Sequence, residues 1–235
     1  MANPYFKFKQ FTIWHDKCAM KVGTDGVLLG AWAPVKGVSS VLDVGTGTGL
    51  IALMIAQRAP SAFIQAIDVD ESAVLQAQDN INGSPWSDRI EVIKTDFKEY
   101  QPTKKFDLVV SNPPYFVDSL LPPNSSRSAA RHTSSLSFHE LISGVVGCLA
   151  HKGIFAVILP SDVCDSFVAL AKEKKLYLNK KLKIQTRLGV EPKRTLLQFS
   201  FTEKDAEEDV LLVEIERHKY SDDYIRLTRD FYLKM

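Results

Sequence analysis

Val41-Leu42-Asp43-Val44-Gly45-Thr46-Gly47-Thr48-Gly49-Leu50-Ile51-Ala52-Leu53 joins three kinds of chain. Apolar Val41, Leu42 and Val44 read as a short strand, Gly45, Gly47 and Gly49 as a tight turn, and the apolar run that follows has helical spacing. Glycine enters left-handed φ without steric cost and carries no Cβ to hold a ligand off the backbone. The first amides of a helix lack intrahelical acceptors and point outward, so a strand, turn and helix of this composition suit a nucleotide-like ligand. A dinucleotide fingerprint requires G-x-G-x-x-G, but counting from Gly45 puts Leu50 where the third glycine belongs. The match fails by one residue. A purely structural strand-to-helix turn stays open on this stretch alone.

Downstream, strand and helix patterns alternate. Strands are expected at Ser40–Val44, Phe63–Asp68, Ile90–Lys94, Leu108–Ser111 and Ile154–Leu159, with helices at Leu50–Ala59, Ser72–Asn82, Ser137–Leu149 and Asp162–Lys174. This order predicts an α/β fold, a parallel sheet with helices on both faces. Strands at Lys181–Thr186, Thr195–Phe201 and Val210–Glu216 predict an antiparallel addition to one sheet edge, and a helix from Asp222 to about Leu233 ends the pattern. Ahead of the glycine turn, Phe6–Trp14 alternates like a strand or hairpin arm. Thr24 reads as the N-cap of a helix that ends near Pro34. Residues 1–38 are expected to be an extension packed on a domain of residues 39–235, the whole forming one globular unit.

Composition narrows the function classes. The 235 residues carry a net charge of +1 and are 45% hydrophobic, which excludes an acidic disordered tail and a uniformly basic coat for nucleic acid. The balance is local, however. Lys172–Arg194 holds nine Lys or Arg against Glu173 and Glu191, while Glu203–Asp223 holds nine acids against Lys204, Arg217 and Lys219. Either the basic run is a patch where a polyanion docks, or it is a solvated helix face and lysine-bearing edge strands. Three widely spaced cysteines, Cys18, Cys148 and Cys164, suggest neither a disulfide framework nor a zinc site and fit a reducing cytoplasm. No leader-like or membrane-length apolar run is present, so a cytoplasmic protein without a membrane partner is expected.

In an open α/β sheet, ligands bind beyond the carboxyl ends of the strands. Asp68 stands at such an end, where an acid can accept from both ribose hydroxyls of a nucleoside, and Val69 beside it can cover one face of the base. A turn or helix-capping role is the alternative for Asp68, although Asp70 or Ser72 can fill it. The most specific stretch is Ser111-Asn112-Pro113-Pro114-Tyr115-Phe116, directly after Phe106–Val110. Two successive prolines stop a strand ladder, fix φ and push Asn112 out of the helical region. Such an elbow can aim the Asn112 side-chain oxygen and the Pro113 carbonyl at one planar NH2 group, with Tyr115 offering a flat face to a ring and Pro114 and Phe116 as further substrate contacts.

Together, Asp43 with the G-x-G-x-G turn, Asp68, the opening A-M-K-V-G-T-D-G-V-L-L-G-A-W and N-P-P-Y resemble class I S-adenosylmethionine-dependent methyltransferases of the N-P-P-Y type. The resemblance covers nearly the whole chain and is greatest to bacterial enzymes that methylate N6 of the adenine at position 37, beside the anticodon, of a valine tRNA. It implies a Rossmann-like, seven-stranded mixed sheet with a short N-terminal hairpin and helix. It also implies S-adenosylmethionine as cofactor, S-adenosylhomocysteine as product and no metal. By that resemblance Gly45, Gly47 and Gly49 pass beneath the methionine part of the cofactor, with Thr24 near its carboxylate. Asp96 accepts from the adenine amine with Phe97 packed on the ring, and Asn112 borders cofactor and substrate alike. Core packing of Phe97 beside a polar turn is the alternative. Arg127, Arg131 and His132, in a loop after the elbow, and Lys193 and Arg194 are candidates for RNA phosphates. The expected partner is tRNA through its anticodon stem-loop, bound by a monomer. N-P-P-Y also occurs in protein glutamine methyltransferases, N-P-P with an aromatic suits rRNA guanine methyltransferases as well, and an inactive RNA-binding protein is the alternative outside enzymes.

Overall fold

A computed structural model describes residues 3–18, 21–114 and 136–234. The chain opens with an antiparallel hairpin, β1 (Tyr5–Lys7) and β2 (Thr12–Trp14), and α1 (Thr24–Trp32). The alternation then runs β3 (Ser40–Val44), α2 (Leu50–Arg58), β4 (Phe63–Asp68), α3 (Glu71–Asn82), β5 (Ile90–Lys94) and β6 (Phe106–Ser111). Beyond residue 136 come α4 (Phe138–Cys148), β7 (Leu149–Pro160), a 3-10 turn at Ser161–Val163 and α5 (Cys164–Glu173). Last are β8 (Tyr177–Arg187), β9 (Arg194–Ser200), β10 (Glu207–Glu216), β11 (Lys219–Tyr220) and α6 (Asp222–Thr228).

Among the described residues the main sheet has nine strands, in the order β11-β10-β8-β9-β7-β6-β3-β4-β5. From β5 to β7 all neighbours are parallel; β9 runs antiparallel between β7 and β8. The α/β class is as expected, but two strands extend the sheet beyond the seven anticipated. β10 pairs parallel with β8, and the short β11 returns antiparallel along β10.

Strand alternation divides the interior into two cores. Val41, Leu108, Val110, Ala156 and Ile158 pack with α1, α2 and α3, while Leu42, Val44, Val109, Phe155 and Val157 pack with α4 and α5. The hairpin is part of the first core: Phe8, Phe11 and Ile13 are buried with α1 and α2. α1 lies tightly on α2 because Gly30 has no side chain, an ideal Cβ there falling 2.8 Å from Met54 Sδ.

Several boundaries differ from expectation for local reasons. The N-cap of α1 is Gly23, so Thr24 is the first helical residue rather than the cap. α4 starts as expected, with Ser137 and Glu140 forming a reciprocal capping box, but it gives way at Leu149 to a longer β7. β7 joins β6 through an irregular register, and there an ideal Cβ on Gly153 would lie 2.8 Å from the Phe106 carbonyl oxygen. α6 stops at Thr228 because the chain turns to bury Phe231, whose carbonyl accepts from the Lys9 amide at 2.8 Å.

Candidate functional site

Strand order reverses beside β3, which has β4 on one flank and β6 on the other, so the carboxyl ends of these strands are where such a sheet takes its ligand. The glycine hinge leaves β3 with φ of 72° at Gly45, 57° at Gly47 and 79° at Gly49, all in the left-handed region that disfavours a side chain. An ideal Cβ on Gly45 meets nothing within 4 Å, so the space beside the hinge is open. The amides of Gly45 and Thr46 donate to the Ile67 carbonyl at 2.9 and 3.0 Å, which fixes the hinge to β4. No side chain caps the N-terminus of α2.

Beneath the hinge, Asp43 is fully buried and its Oδ2 accepts from Thr46 Oγ1 at 2.7 Å; Oδ1 makes no hydrogen bond among the described residues. Burial pushes this carboxyl up to about 7, against the pull of the Thr46 hydroxyl and the Ala52 amide. A folded pKa above the unfolded 3.8 means that the native state holds a proton the unfolded chain has lost. The stability this contributes is complete below about pH 4 and is lost as pH rises towards 7. Asp43→Asn, which keeps an acceptor for Thr46, is therefore expected to be more stable relative to wild type at pH 8 than at pH 5. Urea denaturation at the two pH values tests this, and an unchanged difference would refute it.

Asp68 follows one strand over, where Val44 of β3 pairs with Ile67 of β4. Its Oδ2 accepts from the Gly47 amide at 2.9 Å and its Oδ1 from the Asp70 amide at 3.0 Å. Each carboxylate oxygen retains further acceptor capacity. Capping of α3 belongs to Asp70, which accepts from the Ser72 amide and hydroxyl at 2.9 and 2.7 Å and is held below its ordinary pKa by them. Val69 is 55% exposed, a valine left in the open beside an acid.

After β5, Asp96 accepts from the Lys98 amide at 2.9 Å and pairs with the Lys98 ammonium at 3.3 Å. Phe97 is buried in the second core, so close to α4 that an ideal Cβ on Gly144 would lie 2.5 Å from its ring. The ring packs in the interior against α4.

The elbow follows β6. Ser111 pairs with Val44 and donates through Oγ to the Val44 carbonyl at 2.9 Å, so Asn112 leaves its strand beside the start of the hinge. Adjacent strands lie about 4.8 Å apart. Asn112 is half-buried, Pro113 buried and Pro114 exposed. Tyr115, Phe116, Arg127, Arg131 and His132 lie outside the described residues. Hinge, Asp68 and elbow therefore share one edge of three adjacent strands. A nucleoside cofactor placed over the hinge sits next to a group held by the elbow.

Residues 23–162 match the family model of the methyltransferase small domain. A relative from Bacteroides fragilis, a tRNA1(Val) (adenine(37)-N6)-methyltransferase, is 54% identical over 238 residues, covering all of both chains. One of the same name from Phocaeicola vulgatus is 52% identical, again over all of both. The chain belongs to this methyltransferase family. Among solved structures, a predicted O-methyltransferase from Agrobacterium tumefaciens superposes with a TM-score of 0.66 at 18% identity, covering 88% of this chain and 96% of that one. At that identity the likeness concerns the fold.

Thr24 is exposed at the start of α1, and two residues on an ideal Cβ on Gly26 would lie 3.1 Å from Leu50 Cδ2 at the start of α2. Arg194 Nε donates to Asp25 Oδ2 at 2.8 Å, so this phosphate candidate ties β9 to α1; Lys193 beside it is exposed. The two charge runs meet each other. Parallel pairing of β8 with β10 sets Lys180 opposite Glu207 and Lys181 opposite Glu208, with ammonium-to-carboxylate distances of 3.6 and 4.0 Å. Lys183 with Glu208 and Arg187 with Glu214 extend the ladder at 3.7 and 3.0 Å. Four of the nine cations of the basic run are thereby paired within the sheet, as lysine-bearing edge strands would have it. Among the described residues no group of three His, Cys, Asp or Glu is arranged to hold a metal, and no helix is long and apolar enough to cross a membrane.

Sequence reasoning missed Asn80 and Gln76. Asn80, 2% exposed, accepts from the Trp14 amide at 2.8 Å and donates at 2.9 Å to the carbonyls of both Trp14 and Thr48, joining the hairpin to the hinge. Gln76 accepts from the Lys17 amide at 2.7 Å. Their signal was present: both lie on the α3 face that buries Ala73, Ala77 and Ile81, where a polar side chain needs a partner.

Proposed function

We propose that this methyltransferase moves the methyl group of S-adenosylmethionine to the exocyclic N6 amine of adenine 37 in tRNA1(Val), with the anticodon stem-loop as the docking unit and a monomer as the working species. The observation that carries it is the Asn112-Pro113-Pro114 elbow one strand away from the glycine hinge, in a chain that matches enzymes of that name end to end. The pocket suits the cofactor's chemistry: open space at Gly45, a partly exposed acid at Asp68 for the ribose, an exposed Val69 for the base, and the uncapped start of α2. Bound there, S-adenosylmethionine supplies an electrophilic methyl on a sulfonium.

The remaining work falls to the elbow. An amine on a purine is a poor nucleophile because its lone pair is delocalised into the ring. Asn112 Oδ1 and the Pro113 carbonyl accept its two N–H bonds, which favours a pyramidal nitrogen with the lone pair directed at the methyl. Both oxygens stabilise the positive charge that develops on nitrogen, and its proton then leaves to water, so no strong base is needed. A base within a helix is inaccessible, so the target is taken from a loop and rotated out of its stack, with Tyr115 as the aromatic face against it.

The test uses purified protein, S-adenosylmethionine labelled in its methyl group and bulk tRNA, followed by nucleoside mass spectrometry. N6-methyladenosine at position 37 of tRNA1(Val) is the expected product. Label in protein, in a guanosine or nowhere would overturn the proposal.

A further inference from the structure

The four cations of β8 are paired to acids of β10, and a second concentration of positive charge lies near the start of the chain. The first 23 residues carry Lys7, Lys9, Lys17 and Lys21 against Asp16, net +3 in a chain whose total is +1, so the remainder is net negative. This charge lies on and beside the β1–β2 hairpin, whose two faces differ. Phe6 and Ile13 form one face; Ile13 is fully buried and Phe6 packs edge-on against Tyr232. Tyr5, Lys7, Thr12 and Trp14 form the other.

Tyr5 and Trp14 sit directly opposite each other with ring centroids 5.0 Å apart, and they remain 38% and 45% exposed. Lys7 is exposed on the same face, and no salt bridge to it occurs among the described residues. The face borders a groove lined by Lys7, Thr12, Trp14, Asn80 and Gly83; the one acid there, Asp79, pairs with Lys17. Aromatic side chains beside a lysine such as Lys7 are what single-stranded nucleic acid requires, a stacking surface for bases and a cation for phosphate. The hairpin is also not remote from the chemistry, since Trp14 is bonded through Asn80 to the Thr48 carbonyl of the hinge.

We infer that the Tyr5–Trp14–Lys7 face is a second contact surface for the RNA substrate. It stacks an unpaired base of the tRNA outside the reacting nucleotide and holds a phosphate next to it. The inference rests on the tRNA reading above and extends it to a site distinct from the elbow.

The experiment measures tRNA binding across a salt series, the Kd for S-adenosylmethionine, and steady-state methylation for wild type, Trp14→Ala, Trp14→Phe and Lys7→Glu. Trp14→Ala is expected to raise the tRNA Kd and KM about tenfold, the usual scale for one lost base stack. Trp14→Phe should restore most of that. Lys7→Glu, exposed and harmless to the core, should weaken tRNA binding and lower the log Kd against log salt slope by about one. Cofactor affinity and kcat at saturating tRNA should stay within about twofold in every variant. Wild-type tRNA affinity in both Trp14→Ala and Lys7→Glu would overturn the inference while leaving the tRNA reading intact. So would a loss of cofactor affinity in step with tRNA affinity, because the hairpin would then act only by bracing the hinge. If wild type itself methylates no tRNA, the underlying reading fails and this surface falls with it.

Discussion

Asn112→Ala is expected to lower kcat for tRNA methylation by about a hundred- to a thousandfold, the usual cost of removing one preorganised hydrogen-bonding group at a developing charge. The Kd for S-adenosylmethionine should change by no more than a few-fold. The split follows from position. Asn112 emerges from β6 beside the hinge, half-buried, with Pro113 and Pro114 fixing the chain just after it. Its acceptor is therefore placed by backbone that the substitution leaves alone, and the Pro113 carbonyl remains as a single acceptor unable to orient the amine. Asn112→Asp keeps an oxygen at the same place and is expected to retain turnover between wild type and alanine. Single-turnover methylation with labelled cofactor, alongside calorimetry for cofactor binding, measures both halves. Full turnover in Asn112→Ala would remove the elbow from the mechanism.

The parts of this site that are legible in the sequence are those in which a local rule acts. Gly45, Gly47 and Gly49 announce positive φ, and each adopts it. Asp68 reads as the strand-end acid and Asp70 or Ser72 as the cap, and the structure gives the capping to Asp70 while showing what no local rule does, that Asp68 braces Gly47. Non-local pairing is what defeats the sequence. The two charge runs read as separate features because the opposed residues, such as Lys180 and Glu207, are brought together only by the register of β8 against β10. The hairpin reads as an extension packed on the domain, but nothing near Phe8 or Phe11 in sequence shows that α1 and α2 are the helices that bury them. Phe97 reads in the sequence as a ligand contact or as a core aromatic, and the side-chain-free surface of α4 at Gly144 that its ring packs against is not visible from residues near it in the chain.

For Asp68→Ala the emphasis reverses: the Kd for S-adenosylmethionine should rise about 30- to 700-fold, the equivalent of about 2 to 4 kcal/mol for two hydrogen bonds to a charged acceptor. Two functions go with the carboxylate. It is the acceptor proposed for the ribose hydroxyls, and it receives the Gly47 amide at 2.9 Å, which helps to hold the hinge in its left-handed path. Asp68→Asn separates them in part, because its one amide oxygen can serve either Gly47 or the ribose while its NH2 group faces a donor; an intermediate Kd is expected. Asp68 ends β4, two strands from β6, so about 10 Å of sheet separates it from the elbow. At saturating cofactor and tRNA, kcat should therefore stay close to wild type, the opposite of the Asn112→Ala pattern. Calorimetry showing unchanged cofactor affinity in Asp68→Ala would leave the open space beside the hinge without its proposed nucleoside anchor. Equal losses in kcat and affinity would mean instead that a disturbed hinge misplaces the reacting methyl.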